Sequence, residues 1–171
     1  YTYDTNGRLI SVDRNGLTVR EYSYDANGNR IASADASGQT NGSYDEQDRL
    51  VQYGDTFYEY SSSGERIQKI VNGDTTVYQY DAHGNLVSST LPDGALVEYV
   101  VDGADRRIGK KIGGVIRQGF LYQGQVNPLA ELDGSGNILS GFVYATKGNI
   151  PDYMIKDGVT YRIVSDHLGS P

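Results

Sequence analysis

Tyr22-Ser23-Tyr24-Asp25-Ala26-Asn27-Gly28-Asn29-Arg30-Ile31 is the stretch that decides the fold. Tyr22 and Tyr24 stand two apart and so share one face of a strand, with Ser23 on the other. Asp25 suits the first position of a type I turn, where a carboxylate accepts backbone hydrogen bonds, and Gly28 suits the left-handed position three places later. Strand-forming residues resume at Arg30-Ile31. The same order defines a repeat elsewhere: Tyr3, Asp4 and Gly7 after Tyr1; Tyr58, Tyr60 and Gly64; Tyr78, Tyr80, Asp81 and Gly84. With the second tyrosine as a mark, Tyr3, Tyr24, Tyr44, Tyr60, Tyr80, Val101, Tyr122, Tyr144 and Ile163 follow one another at 16 to 22 residues. Such a period implies one supersecondary unit repeated many times, with a core that only the stack completes.

Tighter turns alternate with these: Asn15-Gly16, Asn72-Gly73, Pro92-Asp93-Gly94, Gly113-Gly114 and Asp157-Gly158. Asn-Gly and Asp-Gly are strong hairpin signals because both central positions want positive φ. Between turns lie short segments rich in β-branched and aromatic residues, such as Thr75 to Tyr80 and Arg66 to Val71, and no window keeps a helical period. The expected fold is all-β, a continuous antiparallel meander of about sixteen strands. A flat ribbon of that many strands would be ~75 Å wide, beyond what twisted open sheets sustain, so the strip is expected to curl. The residue between the paired tyrosines is polar at Thr2, Ser23, Glu59 and Gln79, which predicts one wet face. At Val100, Leu121 and Val143 it is apolar, which predicts later strands buried on both sides, under another layer of chain or a plug.

Composition narrows the function classes. Of 171 residues 37% are hydrophobic, and 15 tyrosines with 3 phenylalanines and no tryptophan leave aromatic packing to phenols. A net charge of −7 argues against nucleic-acid binding. The one dense basic stretch, Arg106-Arg107 with Lys110-Lys111, reads as a solvated strand face. The sequence has no cysteine, which excludes disulfides and thiolate metal sites. No apolar run reaches the ~18 residues of a membrane span. The chain begins inside a repeat without an initiator methionine, as expected of a segment of a longer protein.

Candidate chemistry is sparse. His83 sits at a turn position that many polar residues would fill. His167 stands beside Asp166, with Ser165 and Ser170 near, but adjacent strand residues point to opposite faces, so no triad is implied. The oxygen-rich loops Asp25 to Asn29 and Asp133 to Asn137 lack the terminal glutamate of an acidic calcium loop. The tyrosine ladders read chiefly as cross-strand aromatic packing, with a glycan surface as the sharper alternative. Thr146 to Asp152 breaks the repeat rhythm, as a surface insertion would. No catalytic, cofactor-binding or metal-ligating residue is assigned, and no cofactor is expected.

These motifs resemble the Rhs/YD-repeat family, which includes bacterial Rhs proteins, the C components of insect toxin complexes and the animal teneurins. The repeat covers residues 1–160. Residues 161–171, closing on Asp166-His167-Leu168-Gly169-Ser170-Pro171, look like the start of the Rhs-associated core and favour the bacterial branch. The resemblance implies a strip spiralling into a hollow β-shell that encloses a C-terminal toxin or effector polypeptide. It also implies an aspartate-based self-cleaving element further along the chain, so none of that element's residues is placed here. Departures are visible at Tyr44-Asp45 with Asp48-Arg49, which lacks the first tyrosine and the glycine, and at Tyr99-Val100-Val101-Asp102 with Asp105. The expected function is a non-catalytic piece of shell in a secreted or cell-surface bacterial protein. Its expected partners are flanking segments of the same protein and the enclosed C-terminal polypeptide, with no nucleic acid. The alternative is an adhesin or recognition module that binds cell-surface glycan or protein.

Overall fold

The structure, a computed structural model, describes residues 1–166, 169 and 170. It is all-β, with seventeen strands and no helix among the described residues, and it divides into two compact units at residues 1–76 and 77–171. The first unit runs through β1 (Thr2–Tyr3), β2 (Leu9–Arg14), β3 (Leu17–Tyr24), β4 (Arg30–Asp35), β5 (Gly38–Tyr44), β6 (Leu50–Tyr53), β7 (Thr56–Tyr60) and β8 (Arg66–Val71). Each pairs antiparallel with the next. The second unit starts within β9 (Asp74–Tyr80). It continues through β10 (Leu86–Thr90), β11 (Leu96–Val101), β12 (Arg107–Ile112), β13 (Val115–Gln123), β14 (Asn127–Asp133), β15 (Ile138–Val143), β16 (Tyr153–Lys156) and β17 (Val159–Arg162). It too is an antiparallel meander. The all-β class and the meander are as the sequence implies. No helix of the described residues is long and apolar enough to cross a membrane.

Two turn types build the strips. In the first, Asp4 N donates to Arg8 O at 2.9 Å and Gly7 N to Asp4 O at 3.0 Å. The same pair of bonds recurs in the turns opened by Asp25, Asp45, Ser61, Asp81, Leu91, Asp102, Asp133 and Asp166. The supposed losses at Asp48 and Asp105 leave this backbone intact, because each takes the left-handed position itself, at φ 59° and 58°. Aspartate tolerates that region better than most side chains. Pro92-Asp93-Gly94, expected as a tight hairpin, belongs to this first type instead: Leu91 fills the aspartate place and Gly94 N donates to Leu91 O at 2.9 Å.

The second type is the two-residue hairpin. Asn15 and Gly16 have φ 52° and 78°, and Asn72 and Gly73 have 52° and 91°. Positive φ at both positions is the type I′ signature, whose twist matches the flanking strands. A register shift also recurs near the repeat mark, at Thr2/Tyr3, Ser23/Tyr24, Ser43/Tyr44, Glu59/Tyr60, Val100/Val101 and Leu121/Tyr122. Bulges of this kind raise the local right-handed twist.

Neither strip has a conventional core. Among the described residues Ala130 is the buried apolar side chain, and Ser88, Ser89 and Ser140 are the buried polar ones. In the first unit Ser23 and Glu59 are exposed between half-buried tyrosines, so the predicted wet face is present. The two-sided burial expected of the later strands is not: Leu121 is 50% and Val143 40% exposed. The described residues of that unit supply no cover for them, because a single layer of sheet can fill only one side with its own long side chains.

Candidate functional site

The densest chemistry lies along the aspartate turns, where one repeat grips the next. In the Asp4 turn, Asp4 Oδ1 accepts from the nitrogens of Asn6 and Arg8, both at 2.9 Å, and Arg8 Nε donates to Asp4 Oδ2 at 2.7 Å. Held by this pair, Arg8 reaches across: its Nη1 donates to Asp25 O at 3.1 Å and its guanidinium lies 4.9 Å from the Tyr24 ring centroid. Tyr24 answers through its hydroxyl, which donates to Leu9 O at 2.7 Å. The arrangement recurs with Arg49, Ser61 O (3.3 Å) and the Tyr60 ring (5.0 Å), and with Tyr60 hydroxyl on Leu50 O at 2.8 Å. It recurs again with Arg106, Gly124 O (2.5 Å) and Tyr122 (5.4 Å), whose hydroxyl donates to Arg107 O at 3.0 Å. A planar guanidinium can stack on a ring and donate in its own plane at once, which an ammonium cannot.

A second kind of junction replaces the arginine by asparagine. Asn29 Nδ2 donates to Asp25 Oδ2 at 3.1 Å within its turn and to Asp48 Oδ1 at 2.6 Å in the next, joined there by Asn27 Nδ2 at 2.8 Å. Asn85 Nδ2 likewise bridges Asp81 Oδ2 and Asp105 Oδ1, both at 3.0 Å, and His83 Nδ1 lies 3.1 Å from Asp105 Oδ1. Asp48 and Asp105 are therefore docking points that a glycine could not provide. His83 occupies the place of Asn27, a role its position in a single turn does not reveal.

These bonds set the electrostatics. The Asp4 and Asp45 carboxyls sit below their ordinary value, chiefly through the backbone N–H of Arg8 and Arg49. Asp81, Asp102 and Asp133 are lowered chiefly by the side chains of Asn85, Arg106 and Asn137. For Asp25 burial pushes upward, but the amide and backbone of Asn29 with two further N–H groups outweigh it. Such carboxylates are already occupied. The two loops considered for calcium turn both Asp25 and Asp133 inward onto their own N–H groups. Among the described residues no cluster of three or more His, Asp or Glu side chains could hold a metal ion.

The tyrosines pack differently from the expected phenol ladder. Ring-on-ring contact is represented by Phe120 and Tyr122, 6.4 Å apart and tilted by 58°. Guanidinium-on-ring contact is the common motif: Arg30 lies over both Tyr22 and Tyr53, Arg66 over Tyr58, and Arg107 over Tyr99 at 3.8 Å. The two arginines of the basic stretch are engaged, and its two lysines are placed by strand register alone. Arg106 and Arg107 cover rings, and Lys110 and Lys111 pair across strands with Tyr99 and Glu98.

The rhythm-breaking loop is also tied down. Asp152 accepts from the nitrogens of Ala145 and Thr146 at 2.8 Å and from the Thr146 hydroxyl at 2.5 Å, which lowers its carboxyl to about 2. Asn127 Nδ2 donates to Gly148 O at 2.6 Å, and Lys147 Nζ bonds Ser165 Oγ. Of the closing motif, Asp166 O accepts from Gly169 N at 3.2 Å, and Ser170 N donates to Asp166 Oδ1 at 2.9 Å. Those bonds between Asp166, Gly169 and Ser170 are ones the repeat turns also make. His167, Leu168 and Pro171 lie outside the described residues.

Comparison with known proteins matches this geometry. The family model described as Teneurin YD-shell matches residues 1–171. Teneurin-4 of Mus musculus is 28% identical over 177 residues, and Teneurin-1 of Gallus gallus 27% over 178. Each alignment takes in 100% of this chain and 6% of the relative, so the chain spans a small fraction of the proteins it matches. A solved structure, the crystal structure of TcdB2-TccC3 without hypervariable C-terminal region, is similar in fold, with TM-score 0.52 and 13% identity over 93% of this chain and 14% of that one. With tyrosine–aspartate turns along the meander and a family match over its whole length, the chain belongs to the Teneurin YD-shell family of YD/Rhs-repeat proteins.

Proposed function

We propose that this segment is a non-catalytic stretch of shell wall that, with flanking segments of the same protein, encloses and shields a C-terminal toxin or effector polypeptide. The observation that carries this is where the strength lies. The segment has almost no buried apolar core, and its repeats are joined side to side by charged and hydrogen-bonded grips through the turns. A sheet held in its own plane keeps both faces available, as a container wall requires and a globular core does not. Carboxylates committed to structural N–H groups leave no free acid–base pair for catalysis at these turns. The bacterial, secreted or cell-surface setting is proposed with it.

Limited proteolysis of the full-length protein tests the proposal. An intact wall leaves a C-terminal polypeptide resistant until the shell is unfolded, and Arg49→Ala combined with Arg106→Ala should release it to protease at lower denaturant. A C-terminal region equally sensitive in native and unfolded protein overturns the wall as a container. The second reading, a recognition module for cell-surface glycan, rests on one feature of the first unit. A shallow hollow of about 730 Å³ is lined by Tyr1, Leu9, Val12, Val19 and Tyr22 and flanked by the Arg20–Asp35 ion pair. Glycan-array binding lost on Tyr22→Ala would favour it.

A further inference from the structure

Five asparagines are followed by glycine: Asn6, Asn15, Asn27, Asn41 and Asn72. This is the sequence most open to imide formation, since glycine adds no side chain to hinder attack. The glycine nitrogen bonds to the asparagine Cγ, the Cγ–Nδ2 bond breaks and ammonia leaves. Water then opens the five-membered imide at either carbonyl, giving aspartate or isoaspartate. All five asparagines are exposed, so exposure does not separate them. The state of the attacking nitrogen does.

In the aspartate turns that nitrogen is engaged. Gly7 N donates to Asp4 O at 3.0 Å and Gly28 N to Asp25 O at 3.2 Å. The amide of Asn27 is held as well, on Asp48 Oδ1. Asn41 and Gly42 both lie within β5, Asn41 opposite Ala32 of β4 and Gly42 opposite Tyr53 of β6, and the Asn41 side chain is held by Gln39 Nε2, which donates to its Oδ1 at 2.7 Å. At the two-residue tips nothing comparable holds. In an ideal type I′ hairpin the second central N–H points away from the ladder. Among the described residues neither Gly16 N nor Gly73 N donates a hydrogen bond, and neither Asn15 nor Asn72 has its side chain held.

Asp157-Gly158 has the same tip conformation, at φ 50° and 74°. There the imide forms with loss of water and reopens by regaining it. Asp93-Gly94 differs, since Gly94 N donates to Leu91 O at 2.9 Å. Asp133-Gly134 differs too, since Asp133 Oδ1 accepts from two backbone nitrogens at 2.8 Å.

We propose that Asn15, Asn72 and Asp157, each at the tip of a two-residue hairpin, are sites of spontaneous deamidation or isomerisation, and that the aspartate turns protect the Asn-Gly pairs inside them. Conversion at Asn15 or Asn72 adds a negative charge at a hairpin tip. An isoaspartate adds a backbone carbon that a type I′ turn does not accommodate. The inference is independent of what the wall encloses.

The test is ageing of the intact protein at mildly alkaline pH, with peptide mapping by mass spectrometry that separates aspartate from isoaspartate. Conversion at Asn15 and Asn72 is expected about fivefold to tenfold faster than at Asn6 and Asn27, the population cost of first opening one hydrogen bond. Repeating the incubation in denaturant should bring the four rates together. Equal rates in the native protein, or a difference that survives denaturation, would overturn the proposal, because the turn bonds would then not be the cause.

Discussion

The Asp4–Arg8 and Asp25–Asn29 turns share one backbone and differ in how they hold the turn that follows. Arg8 reaches a backbone carbonyl and a tyrosine face, and the next turn keeps its glycine, Gly28. Asn29 is too short for either and reaches the carboxylate of Asp48, which stands where the glycine would be. The second unit repeats the asparagine form at Asn85 and Asp105, and the arginine form at Arg106 and Tyr122. For Arg8 with Gly28, Asn29 with Asp48, Arg49 with Gly64 and Asn85 with Asp105, the fifth residue of one turn and the fourth residue of the next therefore form a matched pair. A repeat that looks decayed by itself is complete when read with its predecessor.

Acid should break both kinds of junction together, and it is the largest effect expected. The junction carboxyls are lowered in the folded state, Asp4 and Asp45 chiefly by the backbone N–H of Arg8 and Arg49, and Asp25, against the upward push of burial, by Asn29. Outside the junctions Asp35 is lowered to about 2 by Ser37 and Arg20, and Asp152 to about 2 by Thr146. A carboxyl with a depressed folded value stabilises the fold above its unfolded value and loses that contribution as pH falls through the folded one. For Asp4, Asp25 and Asp45 the loss should fall in the window between the ordinary value of 3.8 and their lowered folded values. Hydrogen exchange of the turn amides is the measurement. Amides of Arg8, Asn29 and Arg49 should lose protection in that window, relative to the strand amides beside them.

Next in size, Tyr60→Ala should cost about 2 to 3 kcal/mol, for a half-buried ring with its hydroxyl bond and its stacked cation. Tyr44, at an asparagine junction, has a hydroxyl bond to Arg30 O at 3.1 Å but, among the described residues, no arginine stacked on its ring, so Tyr44→Ala removes the bond and the ring alone. Its cost should be about 1 kcal/mol smaller. Exchange protection across β6 to β8 and β4 to β6 reads the two, and equal costs would remove the arginine stack from the account. Arg49→Lys sharpens the point. It keeps the charge and loses the fork and the plane, for an expected cost of about 1 kcal/mol.

The two junctions also show what sequence alone can carry. Turn chemistry is local, so Asp25 with Gly28 and Asn15 with Gly16 are legible from four adjacent residues. The arginine stack is not, because Arg8 and Tyr24 meet only once β2, β3 and the turns between them are in register. The tyrosines invite a phenol ladder when seen strand by strand, yet the group that covers a ring comes from another segment, as Arg8 does for Tyr24 and Arg107 for Tyr99. His83 and Asp48 were illegible for the same reason, each taking its role from a partner about twenty residues away. The expected cover over Leu121 and Val143 rests on hydrophobic pattern alone, and both stay exposed in the structure, because a pattern of apolar residues does not itself supply a layer to bury them.

The matched pair can be tested by sign. Asp48→Gly alone removes two accepted bonds while relieving a left-handed aspartate, whose cost is about 1 kcal/mol, so the net change should be small. In an Asn29→Ala, Asn27→Ala background the bonds are already gone, and the same Asp48→Gly substitution should stabilise. A coupling of about 0.5 kcal/mol or more between the sites is expected. Additive changes would return Asp48 to the status of a worn glycine.

The smallest effect concerns His83, whose ring meets Asp105 as the Asn27 amide meets Asp48, at 3.1 and 2.8 Å. If geometry rather than imidazole chemistry matters there, His83→Asn should leave stability within about 0.5 kcal/mol of the original, while His83→Ala should cost about 0.5 kcal/mol, the scale of an exposed polar pair. Exchange of the Asp105 amide, which donates to Asp102 O at 3.1 Å, reports the turn directly. Retained protection in the asparagine variant and reduced protection in the alanine variant would make the two junctions one design with interchangeable donors. Loss in both would mean that the ring itself is needed, and that the second unit's junction has a chemistry the first unit lacks.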